Sequence, residues 1–404
     1  MSLVEPSAGL FDTGVELDVV ERGLRRALGT TKRCGQNKTI TRIGENQGFF
    51  SRVGLLQCNW PEGTNLPNHV VVKITTLLNT IAMNQRGKRE ITKKDKQTWS
   101  GKAMKLRKWH NNEILFYDAI QKISCLDILP RMYCGRKFDE ENQDIGFVCM
   151  EYAESCHIKH IYENLCAKEV EQALVSLAEI QSVMDKVSEK QREVFTVSAY
   201  EELYADILSP DVLSFRLSEL ESLDPSLSGL ISQIDVEGSK LPSVKLPKKI
   251  HEDLGMEAVF VNGDMYSPNL LWKTDENGEA QLHKIIDWQF CHYGCPAEDI
   301  VRFLISSTST EDRRANWERW LGLYHKEISN RMEVAPFSLA QLTAAYRQLF
   351  TLAALAFLGT VPEVYRAASQ NCPEDEGKKR RQTMAAKVRG ILEDILDYDN
   401  RKCG

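Results

Sequence analysis

The chain has 404 residues, 42% hydrophobic and 27% charged, the composition of an ordinary globular protein. That length exceeds one minimal core and implies one large two-lobed unit or two domains. A formal net charge of -6 gives no overall electrostatic reason to bind nucleic acid.

Met1 to Gly14 lacks a basic stretch followed by an apolar run, so no secretory signal is expected. From Val15 to Leu28 apolar residues recur at helical spacing. Thr39 to Ile43, Phe49 to Cys58 and Val70 to Ile74 alternate like strands, with Gly44, Gly48 and Gly54 punctuating the first two. Arg86 to Lys108 holds ten Lys or Arg against two acids and reads as a solvated, mobile, basic insertion. The chain then turns helical through Trp109, Ile114, Leu115 and Ile120. Ile145 to Met150 closes this half as a strand.

Beyond residue 155 the pattern is helical: Val170 to Val187, Ala199 to Leu208, Thr310 to Ile328, Leu339 to Leu358 and Lys379 to Leu396. Ser209 to Lys249, rich in Leu, Ser and Pro, reads as a variable connecting segment. The exception is 257–290, apolar and strand-like. The fold class expected is therefore α+β, with a small antiparallel-sheet lobe at 1–153 and a large, mainly helical lobe at 154–404. The longest apolar stretch, Leu349 to Val361, is too short to span a bilayer, so stable membrane insertion is not expected. Eleven cysteines, an odd number without an export signal, suit reduced thiols in a cytoplasmic protein. Cys291 and Cys295 flank His292, but no second ligand pair stands nearby to make a zinc site.

The chemistry concentrates in Val259 to Trp272, where apolar residues lead into Asn262-Gly263-Asp264-Met265-Tyr266-Ser267-Pro268-Asn269 and out through Leu270-Leu271. Asn277-Gly278 marks a hairpin turn, and the chain returns as Ile285-Ile286-Asp287. That hairpin would bring Asp287 alongside Asn269. Phosphoryl transfer needs a carboxylate to orient a hydroxyl and accept its proton, a role that suits Asp264. It also needs hard oxygen ligands for Mg²⁺, which suits Asn269 and Asp287. An acid, an Asn five residues later and an Asp at a strand end form the kinase arrangement. Asp and Asn alone in turns more often serve backbone hydrogen bonds, so the combination carries the reading.

These motifs, with Gly294-Cys295-Pro296-Ala297-Glu298-Asp299-Ile300, resemble the aminoglycoside phosphotransferase and choline kinase superfamily. Within it the chain is most similar to the ecdysteroid kinase-like, or CHK kinase-like, group of insects and nematodes, over roughly residues 35 to 360. The resemblance implies a bilobal protein-kinase-like fold, use of ATP and Mg²⁺, and a small-molecule hydroxyl as phosphate acceptor. It implies a phosphate-binding turn at Gly44 to Ser51, including Gly48 and Ser51. Lys73 becomes the strand lysine for the phosphates, Glu113 its helix partner, and Met150 to Tyr152 the adenine hinge. Asp299 would tie the catalytic loop.

The chain departs from the superfamily in three places. Asn262 stands where a histidine usually begins the loop, which bears on rate more than on reaction type. Gln181-Ser182 stands where relatives commonly have His-Ala. The run of acids that follows the metal aspartate in choline kinases is missing after Asp287. An idle, ligand-binding relative therefore stays as the alternative to an enzyme. A protein kinase is disfavoured because Asp287-Trp288-Gln289 replaces Asp-Phe-Gly. The resemblance suggests a steroid or other lipophilic alcohol as acceptor, with xenobiotic conjugates and amino alcohols open. Oligomeric state is not legible.

Overall fold

A computed structural model describes residues 3–44, 49–85, 93–234, 236, 241–368, 370 and 372–402. Two compact units divide the chain, Met1–Glu154 and Ser155–Gly404.

The first unit is built on α1 (Leu17–Ala27), β1 (Thr39–Ile43), β2 (Ser51–Gln57), β3 (His69–Thr75), α2 (Leu78–Gln85), α3 (Lys93–Ile123), β4 (Met132–Arg136) and β5 (Phe147–Glu151). The strands form one sheet in the order β1-β2-β3-β5-β4, antiparallel throughout. Alternation along β3 sorts its side chains. Val70, Val72 and Ile74 are fully buried in a core shared with Val20 and Leu24 of α1. Lys73 and Thr75 face the other way, toward α3.

Two expectations change here. Residues 93–108 of the basic segment belong to a continuous 31-residue helix, α3, because Ala103, Leu106 and Trp109 supply a buried stripe. The part at 86–92 lies outside the described residues. The sequence reading also passed over α2 and β4, both short and weakly patterned.

The second unit opens with β6 (His157–Ile158), α4 (Ala167–Met184) and the short α5 (Glu189–Arg192). A π-type turn at Tyr200–Tyr204 and one-turn α6 (Ala205–Ile207) replace the regular helix expected at Ala199 to Leu208. The stretch read as a connecting segment holds α7 (Pro210–Leu223), α8 (Ser228–Ile231) and α9 (Leu246–Asp253). Buried Leu213, Leu217 and Leu220 explain α7, since they lie on one helical face. Then come β7 (Val259–Val261), β8 (Leu270–Thr274), β9 (Ala280–Ile285) and β10 (His292–Gly294). α10 (Ala297–Ser307), α11 (Thr310–Arg331), α12 (Leu339–Ala367) and α13 (Glu374–Lys402) complete it.

Its strands make two small antiparallel sheets, β10-β7 and β6-β8-β9. The open edge of β9 is covered by Gln172 of α4, which donates to Ala280 O and accepts from Leu282 N. α12 has the length and composition to cross a membrane, with an 18-residue window of mean hydropathy 1.3. Within the fold, 78% of that window is buried. The apolar stretch is thus the middle of a longer helix packed against α7, α10 and α13. A small antiparallel-sheet unit and a larger helical one make up the α+β class expected.

Candidate functional site

In the first unit, β3 presents Lys73 to α3. Its Nζ lies 2.9 and 2.8 Å from the two carboxylate oxygens of Glu113. Glu113 is 1% exposed at its side chain and Lys73 13%, so little water screens the pair. One helical turn earlier, His110 locks the same helix to the sheet. Its Nδ1 lies 2.7 Å from Thr75 Oγ1 and its Nε2 2.8 Å from Arg136 O. Nε2 must donate to that carbonyl, so Nδ1 accepts from the threonine. Burial lowers the imidazole to about 4, and Lys73 adds to the effect.

Ser51 opens β2 with its side chain buried, and its carbonyl accepts from Asn79 of α2. Asn79 also receives Arg42 and Arg52, while Thr80 donates to Phe49 O. The first turn of α2 therefore holds the strand ends on both sides of the glycine turn. Gly44 sits at φ +63; Gly48, expected to contact phosphate, lies outside the described residues. Met150 is buried on β5, opposite Val71 of β3, and the Tyr152 ring packs edge-on against His69.

In the second unit the loop after β7 is tied at each step. Asp299, fully buried in the first turn of α10, accepts from Asn262 N at 2.7 Å and Gly263 N at 2.8 Å. Burial pushes its carboxyl up to about 7, against the two backbone donors. Gly263 is at φ +80, and a Cβ there would stand 2.5 Å from Phe290 O, so only glycine fits. Asn262 supplies two links of its own. Its Oδ1 accepts from Asp264 N at 3.0 Å, and its Nδ2 donates to Asp287 O at 3.3 Å.

Asn269 donates its amide to Asp264 O at 3.0 Å, and its carbonyl accepts from Ile286 N at 3.0 Å. The register of Leu270 with Ile285 carries that contact into the β8–β9 hairpin. The hairpin closes through a five-residue loop, Asp275 to Glu279. The Asp275 carboxylate takes Asn277 N and Glu279 N, and Gly278 sits at φ +80. Asp264, Asn269 and Asp287 are thus brought into one linked set. Asp287 adopts φ +63, rare for a side-chain-bearing residue and costing about 1–2 kcal/mol.

Two neighbours of Asp264 were missed by sequence reasoning. Arg302 of α10 donates to Asp264 Oδ1 through Nε at 2.8 Å and Nη2 at 2.5 Å. Tyr204 OH reaches the same oxygen at 3.3 Å. The guanidinium lies 5.0 Å from the Tyr204 ring centre and 5.3 Å from that of Tyr266. Among the described residues no donor reaches Oδ2, and no acceptor meets Arg302 Nη1. Burial and the nearby Asp287 carboxylate push Asp264 upward, and Arg302 opposes them. The sequence signal was an arginine one turn after Glu298 and Asp299 in α10, a helix whose remaining residues up to Ile305 are apolar. Trp272 and Trp288 are fully buried core residues. His292 faces Glu298 at 3.3 Å.

Comparison with known proteins adds four findings. A Caenorhabditis elegans protein named "Uncharacterized kinase-like protein D1044.1" is 28% identical over 302 residues, covering 72% of this chain and 77% of that one. The C. elegans "Uncharacterized oxidoreductase dhs-27" is 24% identical over 259 residues, 62% of this chain but 31% of that longer protein. Among solved structures, a microcompartment-associated aminopropanol kinase aligns over 95% of this chain and 98% of its own, at 12% identity and TM-score 0.47. The model of the DUF1679 family, described by the name of that same oxidoreductase, matches residues 3–402. The match spans nearly the whole sequence, and this chain belongs to the DUF1679 family.

Proposed function

We propose that the protein is a phosphotransferase that moves the γ-phosphate of ATP to a hydroxyl of a small molecule. One observation carries this reading: among the described residues Asp264 keeps one carboxylate oxygen unshared, on the loop that also fixes Asn269 and Asp287. The Asn269 amide nitrogen is spent on Asp264 O, which turns the side-chain oxygen away as a hard donor. With the Asp287 carboxylate it would supply the kind of small oxygen set that Mg²⁺ accepts beside water and phosphate, so these residue types fit that ion. Bound there, Mg²⁺ would offset charge on the phosphates.

In this reading Lys73, kept in place by Glu113, holds phosphate oxygens. Asp264 Oδ2 accepts the hydroxyl proton as the acceptor oxygen attacks. Ser51, Met150 and Tyr152 serve the nucleotide at the turn and hinge. The kinase-like name of the 28% identical relative agrees. The oxidoreductase name gains no support here, since every strand pairing among the described residues is antiparallel. A dinucleotide crevice needs a parallel sheet. Ten described cysteines are free thiols, which suits a cytoplasmic location.

The test is turnover of Mg-ATP with a panel of hydroxylated compounds. Asp264→Ala should abolish phosphate transfer while nucleotide binding persists, and Asp287→Ala should weaken Mg-nucleotide binding at least tenfold. Full activity in either variant sinks the assignment. The second reading, an idle ligand-binding relative, draws on the Arg302–Asp264 ion pair. It requires nucleotide binding with no hydrolysis or transfer in the native protein. The acceptor's lipophilic or steroid character belongs to this proposal and is tested by the same panel.

A further inference from the structure

Arg302 is the charged group that the catalytic reading leaves unused. Its Nε and Nη2 both end on Asp264 Oδ1, and Tyr204 completes that oxygen. Two aromatic rings, Tyr204 and Tyr266, fix the guanidinium. Its side chain is 11% exposed, so the charge is little screened. The remaining nitrogen, Nη1, meets no acceptor among the described residues. This second-unit cation is anchored to Asp264 with one pair of hydrogens unspent and not sealed from solvent, so it is free to meet a ligand.

The reaction geometry identifies it. An acceptor hydroxyl bonded to Asp264 Oδ2 lies about 2.6–3.2 Å from that oxygen. In a near-attack arrangement the phosphorus stands about 3–3.5 Å beyond the hydroxyl oxygen. The Nε–Nη2 edge faces Oδ1, so Nη1 lies on the far side of the guanidinium from that oxygen. The span from Oδ2 through the hydroxyl and phosphorus to an equatorial oxygen is long enough to curve back to it.

Resting on the phosphotransferase reading, we propose that Arg302 is a further catalytic residue, donating from Nη1 to the phosphoryl group in transfer. The proton of the acceptor hydroxyl passes to Asp264 Oδ2 as the oxygen–phosphorus bond forms. The bond from phosphorus to the β-phosphate oxygen breaks, and ADP leaves with its electron pair. The charge on the transferring oxygens is met by Arg302, as by an arginine supplied within the same chain. A purely structural arginine would hold the loop equally well for ADP and for the transition state, whereas this role discriminates between them.

The experiment measures affinity of the full-length protein for Mg-ADP alone and with aluminium fluoride, a mimic of the phosphoryl in flight, alongside hydrolysis of Mg-ATP by water. In the native protein aluminium fluoride should tighten ADP at least about 100-fold. Arg302→Met should abolish that tightening and lower the hydrolysis rate about 100- to 1,000-fold, with affinity for ADP alone within threefold. Arg302→Lys should recover part of both, since the charge returns without the fork. Equal tightening in Arg302→Met, no tightening in the native protein, or faster hydrolysis by the variant overturns the proposal. The last outcome would mark the ion pair as a lock. If Arg302→Met does not fold, Arg302→Lys decides, and unchanged tightening in it is fatal. Failure of native Mg-ADP binding would instead bring down the phosphotransferase reading. Loss of activity in Asp264→Ala with normal tightening in both Arg302 variants would bring down this inference alone.

Discussion

Asp264 sits where a negative charge is poorly solvated and faces a second carboxylate at Asp287, both of which favour the protonated form. Arg302 and Tyr204 oppose that tendency through one oxygen and, among the described residues, leave the other open. The loop carrying it is equally constrained in its backbone. Gly263 is held at φ +80 between Asp299 and the Phe290 carbonyl. Gly263→Ala should therefore cost about 1–3 kcal/mol and drag the loop off Asp299. Chemical denaturation of the variant checks this; stability within 0.5 kcal/mol of native would show that the loop relaxes freely.

At the scale of elements, α3 does two jobs with residues one turn apart. Glu113 fixes Lys73, and His110 fastens the helix between β3 and β4. Because burial lowers His110 to about 4, the folded state carries it neutral while an unfolded chain binds a proton below about pH 6.5. The unfolded state then holds more protons between these values, so stability falls as pH drops from about 6.5 to about 4. The slope is up to roughly 1.4 kcal/mol per pH unit from this group. Denaturation midpoints across that range should show the slope, and His110→Gln should flatten it. An identical slope in the variant would assign the acid sensitivity elsewhere.

For the whole molecule, each unit has its own core, and the nucleotide is the reporter that a single melting experiment can follow. If Mg-ATP binds the native chain, ligand at 100 times its Kd adds about 2.7 kcal/mol of stability. In a protein of this size the melting temperature should rise by several degrees. Asp287→Ala and Lys73→Met should each reduce the rise. An unchanged melting temperature with Mg-ATP at millimolar concentration would count against nucleotide binding.

The sequence by itself determined what is local. Val70 to Ile74 alternates because one face of β3 is core, and Asn262 to Asn269 punctuates a turn between apolar runs. Those patterns need only the neighbours in the chain, so the α+β class and the loop residues were legible. What packing decides was not. The helix at 93–108 hides under its lysines, because three buried apolar residues, Ala103, Leu106 and Trp109, suffice to anchor this end of a long helix. The π-type turn at Tyr200–Tyr204 breaks a periodicity that looked helical, and it aims Tyr204 at Asp264. Arg302 lies 38 residues from Asp264 and Tyr204 lies 60 away. No spacing rule links such positions. Only the docking of α10 and that turn around the loop makes them neighbours, since a buried carboxylate selects its counter-charge through space rather than along the chain.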